Sequence, residues 1–319
     1  MKQLVFPLIL CFTVFFVSCS NDSPAILKDE PEPKEEIYPL SDSTNTGDWI
    51  LIEELSDEFE GTELDNSKWQ IQGVNGVYKS NFIGRPPSQF SINNAIVEDG
   101  KLKILTKWEP DYNFNPKYHS KTGEEFKNIT TAAVYSTHRF KYGYMEIKCK
   151  SANTEITSAF WTTGDNSEMD MFEMFGGHKT NEAWRKRLKF NMISWDPENP
   201  YYLPSGNGPA HTRNIQVDFY TANDFHVYGF EWTADSVKIY IDGKLHPDGV
   251  ILKSELTNNG ANLNRWVTDD FYWIWVDSET FPWLGVPDSK EEVGPNGIAA
   301  YEIEYIRVWQ KQNQINVKK

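Results

Sequence analysis

At 319 residues the chain is long for one domain, but all-β sandwiches can run to about 250 residues as a unit. Seventeen Pro, 20 Gly and 14% aromatic residues suit short strands joined by turns. A net charge of −15 argues against nucleic acid or an anionic membrane surface as a partner.

The front end reads as a targeting device. Lys2 precedes an apolar run from Leu4 to Val17, too short and too early for a membrane span and right for a signal peptide over residues 1–18. The following Phe16-Val17-Ser18-Cys19 resembles a bacterial lipoprotein cleavage site, which implies lipid on Cys19 and a place in the cell envelope, on the outer membrane. A plain secretory signal cut elsewhere is the alternative. Residues 19–47 change to Pro, Glu, Asp, Lys and Ser, a composition that cannot bury enough apolar surface to fold and reads as a disordered tether. Cys11 leaves with the signal and Cys149 is then alone, so no disulfide is expected; in the alternating run Met145 to Lys150 it reads as a core side chain.

Residues 48–312 carry the pattern of one β domain, followed by a tail over 313–319. Trp49 to Leu55 opens as a strand. Gly73 to Phe90 is too rich in Gly and Pro for a regular element; such loops line binding clefts on β sandwiches, and this one presents Arg85. Glu98-Asp99-Gly100-Lys101 is a hairpin turn between Ala95–Val97 and Leu102–Leu105. Asp111 to Asn128 is a polar excursion, and Ala132 to Lys150 holds two further strands.

Between Ser158 and Gly177 acids alternate with large apolar residues: Glu168, Met169, Asp170, Met171, Phe172, Glu173, Met174. Period two means a strand with one wet and one buried face. Glu168 and Asp170 share a face, but Glu173 is an odd number of residues away and would point into the core, where an unpaired carboxylate is costly. A β-bulge at Met171–Phe172 absorbs one residue and returns Glu173 to the acidic face. Crowding of like charges then raises at least one pKa and leaves a protonated acid beside an ionised carboxylate, the pair that glycoside hydrolysis requires. The competing readings are a solvated acidic edge strand or a metal site. No His or Cys joins the run, which disfavours metal.

Trp161 can form a platform or fill the core, since an adjacent Phe160-Trp161 pair sends one ring inward whichever way the strand faces. Trp184-Arg185-Lys186-Arg187 is a dense basic cluster, most simply a solvated turn. Phe190 to Trp195 follows as a strand offering Asn191 and Trp195. Asp196 to Asn214 is a loop. Phe225–Trp232 and Ser236–Ile241 pair as antiparallel strands, and His226, without a base or nucleophile nearby, is a scaffold residue. Phe271 to Trp283 places Trp273 and Trp275 on one strand face, with Glu279 and Trp283 at its end, and Tyr301 to Gln310 closes the sheet by alternation.

Glu168-Met169-Asp170-Met171-Phe172-Glu173 resembles the E-x-D-x-x-E signature of glycoside hydrolase family 16, in its bulged version. The likeness extends upstream to Ser56–Phe59, Leu64-Asp65, Lys68-Trp69 and Tyr142–Ile147, and downstream to Phe225–Trp232, Tyr240–Gly243 and Tyr301–Trp309, covering roughly Trp49 to Lys311. The resemblance implies an all-β fold, an antiparallel two-sheet jelly-roll sandwich with an open concave cleft suited to inner segments of a polymer. It implies Glu168 as nucleophile, Glu173 as acid/base, Asp170 holding the shared proton between them, and retention of configuration. The loops around Arg85, Phe281–Trp283 and Trp184 look more like the red-algal galactan enzymes, so the expected reaction is endo-cleavage of β-1,4-galactosidic bonds in porphyran, then agarose. κ-Carrageenan and laminarin or β-glucan are the alternatives within the family.

Arg85 then has two readings, a fork for sulfate oxygens or a cation stacked on an aromatic ring. Arg187 beside Trp184 is weighed the same way, as a sulfate-binding rim. Arg85, Trp161, Trp184, Arg187, Asn191, Trp195, Trp275, Glu279 and Trp283 make up the candidate sugar contacts, because aromatic faces stack on pyranose rings. No cofactor or catalytic metal is expected; a structural calcium on the convex face occurs in relatives, but no ligand set is identifiable. The expected partners are an algal polysaccharide and, through the N-terminal lipid alone, a membrane, with the protein a monomer. The rival class is a non-catalytic glycan-binding lipoprotein on the same sandwich, and transglycosylation shares the covalent intermediate with hydrolysis.

Overall fold

The structure is a computed structural model and describes residues 36–165, 167–194, 211–256 and 269–319. Two sheets face each other across a hydrophobic core. In the first, the strands run in the spatial order His211–Gln216, Arg187–Ser194, Ser167–Met174, Ser158–Thr163, Tyr272–Asp277, Ala133–Phe140 and Val317–Lys318, with Trp69–Ile71 also on Ala133–Phe140. The second is built around Gly143–Lys150 and the long strand Ile298–Lys311. Pairing among the described strands is antiparallel except between Ser88–Phe90 and Ile129–Thr131.

Alternation explains the layering. In Ser167–Met174 the residues Met169, Phe172 and Met174 point inward, and Phe172 meets Phe160 at 5.8 Å and, from the opposite sheet, Phe230 at 6.3 Å between ring centroids. Each fully buried side chain of this size contributes about 1.5–3 kcal/mol. Tight turns fix the register as the sequence suggests: Asp99 (φ 53°) and Gly100 (φ 67°) join Glu98 to Lys101 in a two-residue hairpin, and Asp242-Gly243 does the same for the next. Cys149 is buried in the core, and His226 is held by Asp242 at 2.8 Å and stacked on Phe219.

One boundary needs correction. Residues 37–47, expected as the end of a disordered tether, belong to the folded unit. The Trp309 indole donates to the Ile37 carbonyl at 2.8 Å, the Leu40 amide donates to Glu146 at 2.9 Å, and Asp42 accepts from the amides of Thr46 and Gly47. These polar residues supply their own turn chemistry, and Leu40 and Ile37 supply the contacts that composition averaging over the segment conceals. Cys19 lies outside the described residues.

Candidate active site

The acidic strand is bulged. Against Arg187–Ser194 the register runs Asp170 to Asn191 and then Glu173 to Lys189; against Ser158–Thr163 it runs Asp170 to Trp161 and then Phe172 to Phe160. Met171 is therefore the extra residue. Both Met171 and Phe172 enter the core, and Glu168, Asp170 and Glu173 emerge on the outer face of the sheet.

Register also fixes their neighbours. Lys189, Glu173, Ala159 and Asp277 lie in one row across the sheet, and Asn191, Asp170, Trp161, Trp275 and Tyr135 in the next. The Asn191 amide nitrogen donates to Asp170 Oδ2 at 2.8 Å and to Glu173 Oε2 at 2.9 Å, while its carbonyl accepts from Thr212 Oγ1 at 2.9 Å. Lys189 Nζ donates to the same Glu173 oxygen at 2.6 Å. Burial first, then the charge of Asp170 and a hydrogen bond with it, push Glu168 well above the carboxylate range. Asp170 is pushed up to about 7 by burial and by Glu173, against Asn191 and Lys189, which pull it down. Raised pKa values on these two adjoining carboxyls favour a proton shared between Glu168 and Asp170 over two negative charges.

A second pair of acids sits beside them. Asp277 and Glu279 are both buried, and burial raises each, Glu279 to about 7 against the pull of Arg85 and Asp277 well above its ordinary value. Arg85 Nη2 meets Glu279 Oε1 at 3.0 Å, whereas Glu279 Oε2 is buried without a partner among the described residues. The loop is set for this contact: Gly84 has φ 111°, a Cβ there would lie 2.8 Å from the Ser88 carbonyl, and Ser88 Oγ accepts from the Thr280 amide at 3.1 Å.

The other sequence candidates divide. Trp161 is half-buried next to Asp170 and stacks on Trp275 at 4.9 Å, which leaves it a face for a sugar. Trp283 is 66% exposed and leans on Phe281 at 4.7 Å. Trp275 is a correction: at 1% exposure, held between Trp161 and Tyr135 with Phe82 against its edge, it backs the platform and cannot meet substrate. Asn191 is another, since its amide nitrogen and carbonyl oxygen are engaged by Asp170, Glu173 and Thr212, and at 2% exposure it orients the acids.

Arg85 takes the aromatic reading, lying 4.3 Å over Phe281 and 5.1 Å from Trp283, with the Glu279 pair added. The basic cluster is split. Arg185 and Lys186 lie over Tyr220, and Arg187 alone stacks on Trp184, 3.2 Å from the ring centre, with burial lowering its pKa. Trp195 lies outside the described residues.

Sequence reasoning passed over Lys189, Asp277, Lys79 and Arg139. The first two were within reach of parity: Lys189 is two residues from Asn191, and Asp277 two from both Trp275 and Glu279, on strands already recognised. Lys79 and Arg139 lie 3.5 and 4.6 Å over the Trp273 ring, a contact between separate segments that no local pattern announces.

Comparison with known proteins gives the same direction. The model for the β-porphyranase A–D GH16 domain matches residues 49–311. β-Porphyranase B of Zobellia galactanivorans is 26% identical over 291 residues, covering 82% of this chain and 85% of the relative. β-Porphyranase B of Phocaeicola plebeius is 28% identical over 268 residues, covering 73% and 79%. The crystal structure of porphyranase B from Z. galactanivorans superimposes with a TM-score of 0.63 at 26% identity, over 82% of this chain and 92% of that one.

Proposed function

Since the chain belongs to glycoside hydrolase family 16, in its β-porphyranase A–D group, we propose that it is an endo-acting, retaining glycosidase of red-algal galactans, with porphyran first and agarose second. The observation that carries the reading is the bulge, which brings Glu168, Asp170 and Glu173 to one face. Glu168 attacks the anomeric carbon as Asp170 takes up the shared proton. Glu173 delivers its proton to the departing glycosidic oxygen, and the sugar is left covalently on Glu168. Water then attacks the same carbon, loses its proton to Glu173, and frees Glu168 with configuration retained. Nucleophile and proton both come from side chains, so the steps balance without a cofactor.

Trp161 offers the sugar its face, and Trp283 extends the surface past Arg85. Arg85 and Arg139 are paired with Glu279 and Asp165, whereas Lys79 and Arg187 lie over aromatic rings with no carboxylate partner among the described residues; these two are the cations open to a sulfated chain, which favours porphyran over a neutral polymer. Lipidation of Cys19, residence on the outer membrane and action as a monomer complete the proposal, supported by the signal-like run before Cys19 and the acidic segment after it.

A panel of porphyran, agarose, κ-carrageenan and mixed-linkage glucan, digested by wild type and by Glu168→Gln, tests the reading. Reducing ends from porphyran or agarose that vanish in the variant are expected. Release from the glucan alone would overturn the galactan assignment, and release from nothing would favour the glycan-binding rival.

A further inference from the structure

The donors around Glu173 are distributed unevenly. Lys189 Nζ at 2.6 Å and Asn191 Nδ2 at 2.9 Å both reach Oε2, from the one neighbouring strand, and nothing comparable reaches Oε1 among the described residues. On the other side the strand presents the methyl group of Ala159, too short to interfere. Lys189 is itself steadied, its ammonium 5.9 Å from the Phe281 ring centre, and its side chain is only 22% exposed.

We infer that Lys189 is a positioning residue for the acid/base step: with Asn191 it saturates Oε2 of Glu173, and so makes Oε1 the oxygen that gives the proton to the leaving group and takes one from water. The inference rests on Glu173 being the acid/base. A carboxylic acid protonated on Oε1 still accepts two hydrogen bonds on Oε2, so the clamp survives both halves of the cycle. In the first half the Oε1–H bond breaks as the C1–O bond to the leaving sugar breaks and the bond from C1 to Glu168 forms. In the second, water gives its oxygen to C1 and its proton to Oε1, and the Glu168 ester opens. An unclamped carboxyl could rotate and offer either oxygen, with the loss of alignment that such transfers penalise.

Charged groups around Glu173 are Glu168 and Asp170 on its own strand, Lys189 on one side, Asp277 across Ala159, and Glu279 with its partner Arg85. Among the described residues Lys189 and Asn191 are the donors in direct contact with Glu173, so replacing Lys189 loosens the hold on Oε2. Lys189→Met should lower kcat on polymer by about 10–100-fold. The pre-steady-state burst of nitrophenolate from an aryl glycoside of a galactan oligosaccharide, whose leaving group needs no acid, should stay within about threefold of wild type. Lys189→Arg, which can still donate to Oε2, should recover most of the kcat lost on polymer.

An unchanged kcat on polymer in Lys189→Met, or equal losses on polymer and aryl glycoside, overturns the inference, as does a loss that appears in KM alone. Glu173→Gln separates the two failures: if it digests polymer like wild type, the acid/base reading itself is wrong, whatever Lys189→Met does.

Discussion

Two buried groups of carboxylates in this molecule have opposite fates. Glu146, on the sheet facing away from the acidic strand, is 1% exposed, and both of its oxygens are engaged, one by the Leu40 amide and one by the Tyr305 hydroxyl, each at 2.9 Å. Beside it Arg307 holds Glu58 through two bonds of 2.7 and 2.8 Å. On the other sheet Glu168, Asp170, Glu173, Asp277 and Glu279 crowd one face, and among the described residues Lys189 and Arg85 are the cations in contact and Glu279 Oε2 has no partner. Burial raises the pKa in both places. What separates them is how the donors are spread: Glu146 has one on each oxygen and is scaffold, whereas among the described residues Glu173 takes both of its donors on Oε2 and Glu279 has none on its own Oε2, which leaves oxygens able to carry a proton.

The strongest way to break this contrast is to remove the nucleophile. Glu168→Gln should cost polymer cleavage at least about 10⁴-fold, with product release as the readout and the melting temperature as the control. A variant that retains a tenth of the activity would place the nucleophile elsewhere.

Next comes Asp170→Asn, where the sign of the pH effect is the test. Asp170 is raised in the folded state, so between its ordinary value of 3.8 and about 7 the folded protein binds more protons than the unfolded chain. Stability from this group is therefore lost as pH rises through that window. Asparagine avoids the loss and keeps an acceptor for Asn191. The variant should be more stable than wild type by about 1–3 kcal/mol at pH 8 and equal to it at pH 3.5, while activity falls about 100-fold. A melting difference that does not change with pH would refute the charge argument.

Glu146→Leu should do the reverse. Leucine accepts neither of the hydrogen bonds that Glu146 accepts and leaves the Leu40 amide and the Tyr305 hydroxyl without that partner, so stability should fall by about 1–3 kcal/mol with kcat unchanged. Denaturant unfolding and polymer assays on the same preparation read both; activity falling in step with stability would erase the distinction between the sheets.

The parts of this arrangement that could be read from the sequence follow from local rules. A carboxylate three residues after Asp170 could not stay in the core, so Glu173 demanded a bulge, and Asp-Gly pairs announced two hairpins. The parts that could not be read depend on what covers what. Trp161 and Trp275 have the same chemistry and adjacent strands, and Phe82 meets both rings, at 6.1 and 6.4 Å, but Tyr135 stacks at 4.7 Å on the far face of Trp275. Asn191 looked like a sugar contact because its strand was right; only the register, which pairs it with Asp170, shows that its donors are spent. Residues 37–47 looked like tether because composition is an average, and a few contacts by Ile37 and Leu40 suffice to dock them.

The smallest expected effect falls on the outermost aromatic. Trp283 is 66% exposed and touches the fold through Phe281 and Arg85, so its removal takes little from the core and the melting temperature should move by less than about 2 °C. If it stacks on a sugar beyond the acids, Trp283→Ala should raise KM for polymer about 3–10-fold and leave kcat alone, the mark of binding lost equally from ground and transition states. Short oligosaccharides that end before Trp283 should be cleaved as by wild type. A change in kcat, or an equal effect on short and long substrates, would mean instead that Trp283 acts through Arg85 on Glu279, and the donor-poor acids would then extend to the rim of the sheet.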